Sequence, residues 1–98
     1  MKSIARVPTD RPARYLKQLA EHLGHRIAAE YTAERGTLTF EFGVCSLTAE
    51  DGALVLHARG GDEAALARVE DVTGRHLERF GQKDELAVHW TRDLSGSN

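Results

Sequence analysis

Five histidines in 98 residues are the first place to look for chemistry, because imidazole titrates near neutral pH and is a common metal ligand. His57 and His89 each alternate with apolar neighbours and so point away from the expected core. On adjacent strands the two rings would approach, and Glu41 or Cys45 would complete a metal or acid–base site. No HExxH or Cys/His ligand spacing accompanies them, so plain solvation weighs more and no metal is assigned. His22 and His25 are three apart, but Gly24 should end a helix between them, which removes a rigid pair. His76 follows Val72 by one helical turn, at the flank of an apolar stripe. It would either donate to a backbone carbonyl or line a pocket as a general base. No serine, cysteine or carboxylate stands at a nucleophile's spacing from it, which favours the structural role and leaves no catalytic residue assigned.

Cys45 is the chain's single cysteine and cannot form an internal disulfide. A redox thiol needs a helix N-terminus or a nearby cation to lower its pKa, and a strand interior supplies neither. It should pack as a small hydrophobe.

Charge is uneven along the chain. Residues 1–26 hold six basic and two acidic side chains, a surplus of +4, whereas the whole carries −2. Arg11, Arg14 and Lys17 form a ridge on the outer side of the first expected helix, where an anionic ligand or an acidic partner could bind. Without interleaved aromatics the ridge reads first as a solvated face. A pI near 6.2 and the lack of RNP-like or GXXG motifs argue against nucleic acid. Arg6 and Pro8 interrupt any leader-like apolar run, and nothing approaches the roughly 18 apolar residues of a membrane span. A cytoplasmic protein with no membrane partner is expected.

Two periodicities must position these residues. Pro8 stops a short β-prone start, Thr9 or Asp10 is expected to cap a helix, and Pro12 suits its first turn. Leu16, Leu19, Ala20 and Leu23 recur at helical spacing, so a helix is predicted over residues 11–23, with Gly24 as a left-handed cap. From residue 26 the period becomes two. Ile27, Ala29 and Tyr31 make one strand; a turn at Glu34-Arg35-Gly36 precedes Leu38, Phe40 and Phe42 on the next. Gly43 breaks that run, Val44–Ala49 follows, and Glu50-Asp51-Gly52 turns the chain into Ala53–Arg59. Gly60-Gly61-Asp62 then introduces a helix over 63–80, buried through Leu66, Val69, Thr73, Leu77 and Phe80. Arg68, Asp71, Arg75 and Glu78 should be its solvated side. Gly74 in its interior calls for a close packing neighbour. Leu86, Val88 and Trp90 alternate as a last strand, and residues 93–98 form a polar tail.

Short connections imply an antiparallel sheet. The expected fold is therefore α+β in the order β-α-β-β-β-β-α-β: a two-layer sandwich of about six strands in one domain, residues 1–92, with two helices on one face. Its other face, bearing Thr39, Glu41, His57 and His89, would lie open.

Three segments and a closing motif carry a resemblance: Arg6-Val-Pro-Thr-Asp-Arg-Pro-Ala-Arg-Tyr-Leu16, Phe40-Glu-Phe-Gly-Val-Cys-Ser-Leu47, Val69 to Phe80, and Leu86-x-Val-x-Trp90. From about Ile4 to Thr91 the chain resembles the small bacterial family known as domain of unknown function 2218. The resemblance implies a stand-alone α+β protein with no assigned catalytic residues and no cofactor. Relatives beside or fused to FAD-dependent siderophore-interacting ferric reductases imply such a flavoprotein as partner and iron metabolism as context. The primary expectation is a non-enzymatic binding or accessory module that self-associates, or meets its partner, through the open sheet face. A small enzyme or metal-binding protein using His57 and His89, or His76, is the alternative.

Overall fold

One almost unbroken apolar run, Ala53-Leu-Val-Leu-His-Ala58, lies inside the sheet and organises it. A computed structural model describes residues 1–93. The elements are β1 (Lys2–Pro8), α1 (Pro12–Leu23), β2 (Ala28–Tyr31), β3 (Arg35–Thr39), β4 (Gly43–Glu50), β5 (Ala53–Gly60), α2 (Glu63–Phe80) and β6 (Thr91–Asp93), with a 3-10 turn at Gln82–Asp84. The fold is α+β, and the strands run in the order β2-β3-β4-β5-β1-β6. Every neighbouring pair is antiparallel. The expected order of elements and the one-sided helical layer are both present.

Alternation decides which side each residue serves. Ala5 and Val7, Leu38, Cys45 and Leu47, and Leu54, Leu56 and Ala58 turn toward the helices. They meet Leu16, Leu19, Ala20 and Leu23 of α1 and Leu66, Val69 and Leu77 of α2 in one core. The opposite face carries Ile4, Arg6, Ser46, Thr48 and His57. Across it Arg6 and Glu50 pair over β5, and there Ala53 and Val55 are buried.

Helix ends depart from expectation in detail. Neither Thr9 nor Asp10 caps α1; Arg11 is its N-cap, with no side-chain cap bond, while Thr9 Oγ1 accepts from the Arg11 amide at 3.1 Å. Gly24 is right-handed, not left-handed. It is small because a Cβ there would stand 2.8 Å from the Ala20 carbonyl. Asp62 does cap α2, its Oδ1 accepting from Ala65 N at 2.8 Å.

Two strands end elsewhere than the alternation suggests. The turn lies at Thr32–Glu34, where Thr32 Oγ1 accepts from Glu34 N at 3.3 Å and Arg35 N at 3.1 Å, an ordinary hydroxyl turn. Gly36 sits within β3 instead, since a Cβ would stand 3.3 Å from Leu47, Tyr31 and the Glu30 carbonyl. β3 stops at Thr39, and the Phe40 amide donates to Gly43 O at 2.8 Å to close the next turn. Residues 86–90 form no strand. Val88 N donates to Glu78 Oε2 at 2.9 Å, and Val88 and Trp90 lie 3.3–3.7 Å from where a Cβ of Gly74 would be. Their period of two marks an extended chain with one face on α2, not a ladder. This contact is what the glycine inside α2 accommodates. Pairing with β1 begins only at Thr91, so Asp93 belongs to β6; the remainder of the expected tail lies outside the described residues. Arg92 then ties this edge to α2, reaching Glu70 at 2.9 Å and Glu63 at 3.4 Å.

Gly43 lets the sheet approach α2 closely. A Cβ there would stand 2.2 Å from Arg59 O and 2.7 Å from Val69 Cγ2. Gly43→Ala is expected to lower unfolding free energy by about 1–3 kcal/mol, the usual overpacking cost. At Gly61 a Cβ meets nothing within 4 Å, so Gly61→Ala should change stability by less than about 0.5 kcal/mol. Urea denaturation of the two variants checks the contrast.

Candidate functional site

Docking α2 through Leu66, Val69, Thr73 and Leu77 turns a second stripe sideways. Arg68, Val72, His76 and Arg79, spaced by four, four and three, run along one flank of the helix. They form one wall of a groove of about 880 Å³. Across it stand His22 and Leu23 at the end of α1, then His25, Arg26 and Ile27 in the connection to β2. Phe40, Glu41 and Phe42, the β3–β4 turn, complete the lining. Although β3 ends at Thr39, both phenyl rings of this turn stay with the core on the helical side. They stack at 5.0 Å between centroids and 29° between planes. The Arg68 guanidinium lies over Phe42, 4.1 Å from its centroid, a cation–π distance.

A second ring cluster stands farther along α2. His22 lies 5.2 Å from His76 and 5.1 Å from Phe80, centroid to centroid. His76 Nδ1 is 2.7 Å from the Val72 carbonyl. A carbonyl only accepts, so Nδ1 carries the proton of that bond and Nε2 is the open ring position. This bond lies within α2 and does not tie the helix to the sheet, and the ring lines the groove.

The groove is basic within an acidic chain. Arg26, Arg68 and Arg79 face a single lining carboxylate, Glu41, and none of the three forms an ion pair among the described residues. Neighbouring acids are engaged elsewhere. Asp71 pairs with Arg75 at 3.3 Å, Glu78 holds Val88 N, and Glu21 accepts from the Tyr31 hydroxyl at 2.9 Å. No serine or cysteine is among the lining residues.

The expected open-face constellation is not assembled. Glu41 leaves that face because its strand ends two residues earlier, and it joins His76 in the groove. His57 does point outward from β5, beside Ile4 and Ser46. With Lys2, Arg59, Thr91 and Asp93 it lines a shallow cleft of about 530 Å³. His89 is exposed on the extended segment along α2, so the two rings do not face each other across adjacent strands. Among the described residues no three histidine, cysteine or acidic side chains converge as a metal site. Arg14 and Lys17 are exposed on α1, as the ridge requires. Arg11 shares a cleft with Asp10 and Asp84, and the Tyr15 hydroxyl donates to Asp84; that end of the ridge is not purely cationic.

Sequence reasoning missed His22 as the partner of His76. Arg68 is exposed, as expected of the solvated side of α2, but its contact with Phe42 was not foreseen. Arg68, Val72, His76 and Arg79 visibly share a stripe in the sequence; what faces that stripe was not legible.

The chain belongs to a bacterial family of uncharacterised proteins, domain of unknown function 2218, whose pattern matches residues 4–91. Among solved structures it is similar to PA4090 from Pseudomonas aeruginosa, determined by NMR. The two are 32% identical with a TM-score of 0.77, over 92% of this chain and 94% of the other. No curated protein matches the sequence. Among the described residues no helix is long and apolar enough to cross a membrane.

Cys45 packs as expected, fully buried in β4. Burial pushes its thiol from the ordinary 9.0 up to about 12, opposed in part by the Thr73 hydroxyl and the His57 backbone. Tyr15 shifts the same way, chiefly through its hydrogen bond to Asp84. Both groups hold their protons more tightly when folded, so their contribution is complete below the unfolded values and is lost as pH rises through the folded ones. Folding stability should therefore fall as pH rises from 9 toward 12. In Cys45→Ala the decline between about pH 9 and 11 should be shallower. Urea midpoints across that range, equally steep in both proteins, would refute it.

Proposed function

We propose that the protein is a non-enzymatic binding module whose ligand site is the groove between the end of α1, the β3–β4 turn and α2. The observation that carries this is the gathering of three arginines, without ion pairs among the described residues, and three histidines over an apolar floor within one concavity. Ligand sites are typically apolar concavities of about 300–1,000 Å³ with a few convergent polar groups. The siderophore and ferric-reductase setting comes from the family resemblance alone, and neither comparison names iron.

Amide shift mapping tests the site with small probes: indole, benzoate, benzamide and phenyl phosphate. Perturbations are expected to cluster at residues 22–27, 40–42 and 68–79. Perturbations confined to residues 2–4, 46, 57–59 and 91–93 would move the site to the open sheet face and overturn the proposal.

That face supports a second reading, self-association. Ile4 is 41% exposed within the cleft beside His57, an uncommon place for an isoleucine unless something covers it. Under this reading sedimentation shows a dimer that Ile4→Glu converts to monomer. A wild-type protein that stays monomeric at high micromolar concentration removes it.

A further inference from the structure

We infer that the groove's ligand is a planar aromatic anion, an aryl ring system bearing a carboxylate or a phosphate. This assignment rests on the groove being the binding site. Phe40, Phe42 and Arg68 form a continuous stack that ends in a guanidinium plane. A guanidinium so placed offers two different surfaces: its face takes another π system, while its edge donates to oxyanions. The guanidinium that ends the stack therefore selects both a flat ring, over its face, and negative charge, at its edge.

Charge around the stack points the same way. Arg26 and Arg79 line the same groove and lack carboxylate partners among the described residues. A cationic ligand would meet three like charges and could pair only with Glu41. A neutral ring would leave all three arginines without an anion. Arg68 and Arg79 stand eleven residues apart, about 16 Å along the helix axis at 1.5 Å per residue. That length exceeds one benzene ring, so a fused bicyclic ring carrying an anion matches the groove better than a small inorganic ion.

Calorimetric titration with 1-naphthoate, 1-naphthyl phosphate and the neutral 1-naphthamide tests the assignment, with amide shifts recorded on the same samples. Both anions are expected to bind at least about ten-fold more tightly than the amide, the size of one charge-assisted hydrogen bond. Arg68→Gln should abolish that preference. Arg68→Lys, which keeps the charge and loses the plane, should recover only part of it. Lys17→Gln makes the same charge change on the outer ridge of α1 and should leave the affinity unaltered. Equal affinity for naphthamide and naphthoate, with shifts in the groove, overturns the anion assignment while the binding site stands. An equal loss in Lys17→Gln and Arg68→Gln likewise overturns it, because general charge would then explain the preference. The absence of groove shifts with all three compounds overturns the site and the assignment together.

Discussion

The contact between α2 and the central strands governs what the rest of the molecule can present. Leu66, Val69, Thr73 and Leu77 are completely shielded from solvent, and Gly43 allows the helix to approach until Val69 touches the start of β4. Once that face is fixed, helical geometry leaves no freedom over its neighbours. Arg68, Val72, His76 and Arg79 must look toward the end of α1 and the β3–β4 turn. On the far side the chain from Leu86 to Trp90 lies against the same helix at Gly81 and Gly74. The groove is thus a by-product of packing. The side chains placed along it give it its chemistry.

Charge is distributed differently over the two faces. On the sheet side Arg6 pairs with Glu50, and Lys2 lies 3.9 Å from Asp93; such exposed pairs stabilise by little, about 0–1 kcal/mol. On the groove side Arg26, Arg68 and Arg79 share the lining with one carboxylate, Glu41, and form no ion pair among the described residues. The chain's overall charge of −2 hides this contrast, much as it hides the basic start of the sequence. A local surplus of positive charge in a concavity attracts anions even when the net charge is negative.

The class of fold, both helices and the inward face of β5 were legible in the sequence, because hydrophobic period reports burial directly. Two failures share one cause. Leu38, Phe40 and Phe42 alternate, as do Leu86, Val88 and Trp90, yet each run leaves the hydrogen-bonded ladder. Phe40 and Phe42 keep facing the core from a turn, and Val88 and Trp90 face a helix. Alternation records an extended chain with one dry side; it does not record which element provides the dryness. Those two misplacements also explain why the sequence grouped residues that the fold keeps apart. Glu41 and His89 were assigned to an open face they do not occupy, while His22 and Arg68 gained partners from turns and helix ends. Sites built from several connections depend on long-range placement, which local pattern does not carry.

Intermolecular nuclear Overhauser effects in the naphthoate complex test the central claim most directly. Contacts from the naphthyl protons to the Phe42 ring, the Arg68 side chain and the His22 ring are expected. Contacts to Ile4 and His57 instead would place the ligand on the open sheet face and contradict the account.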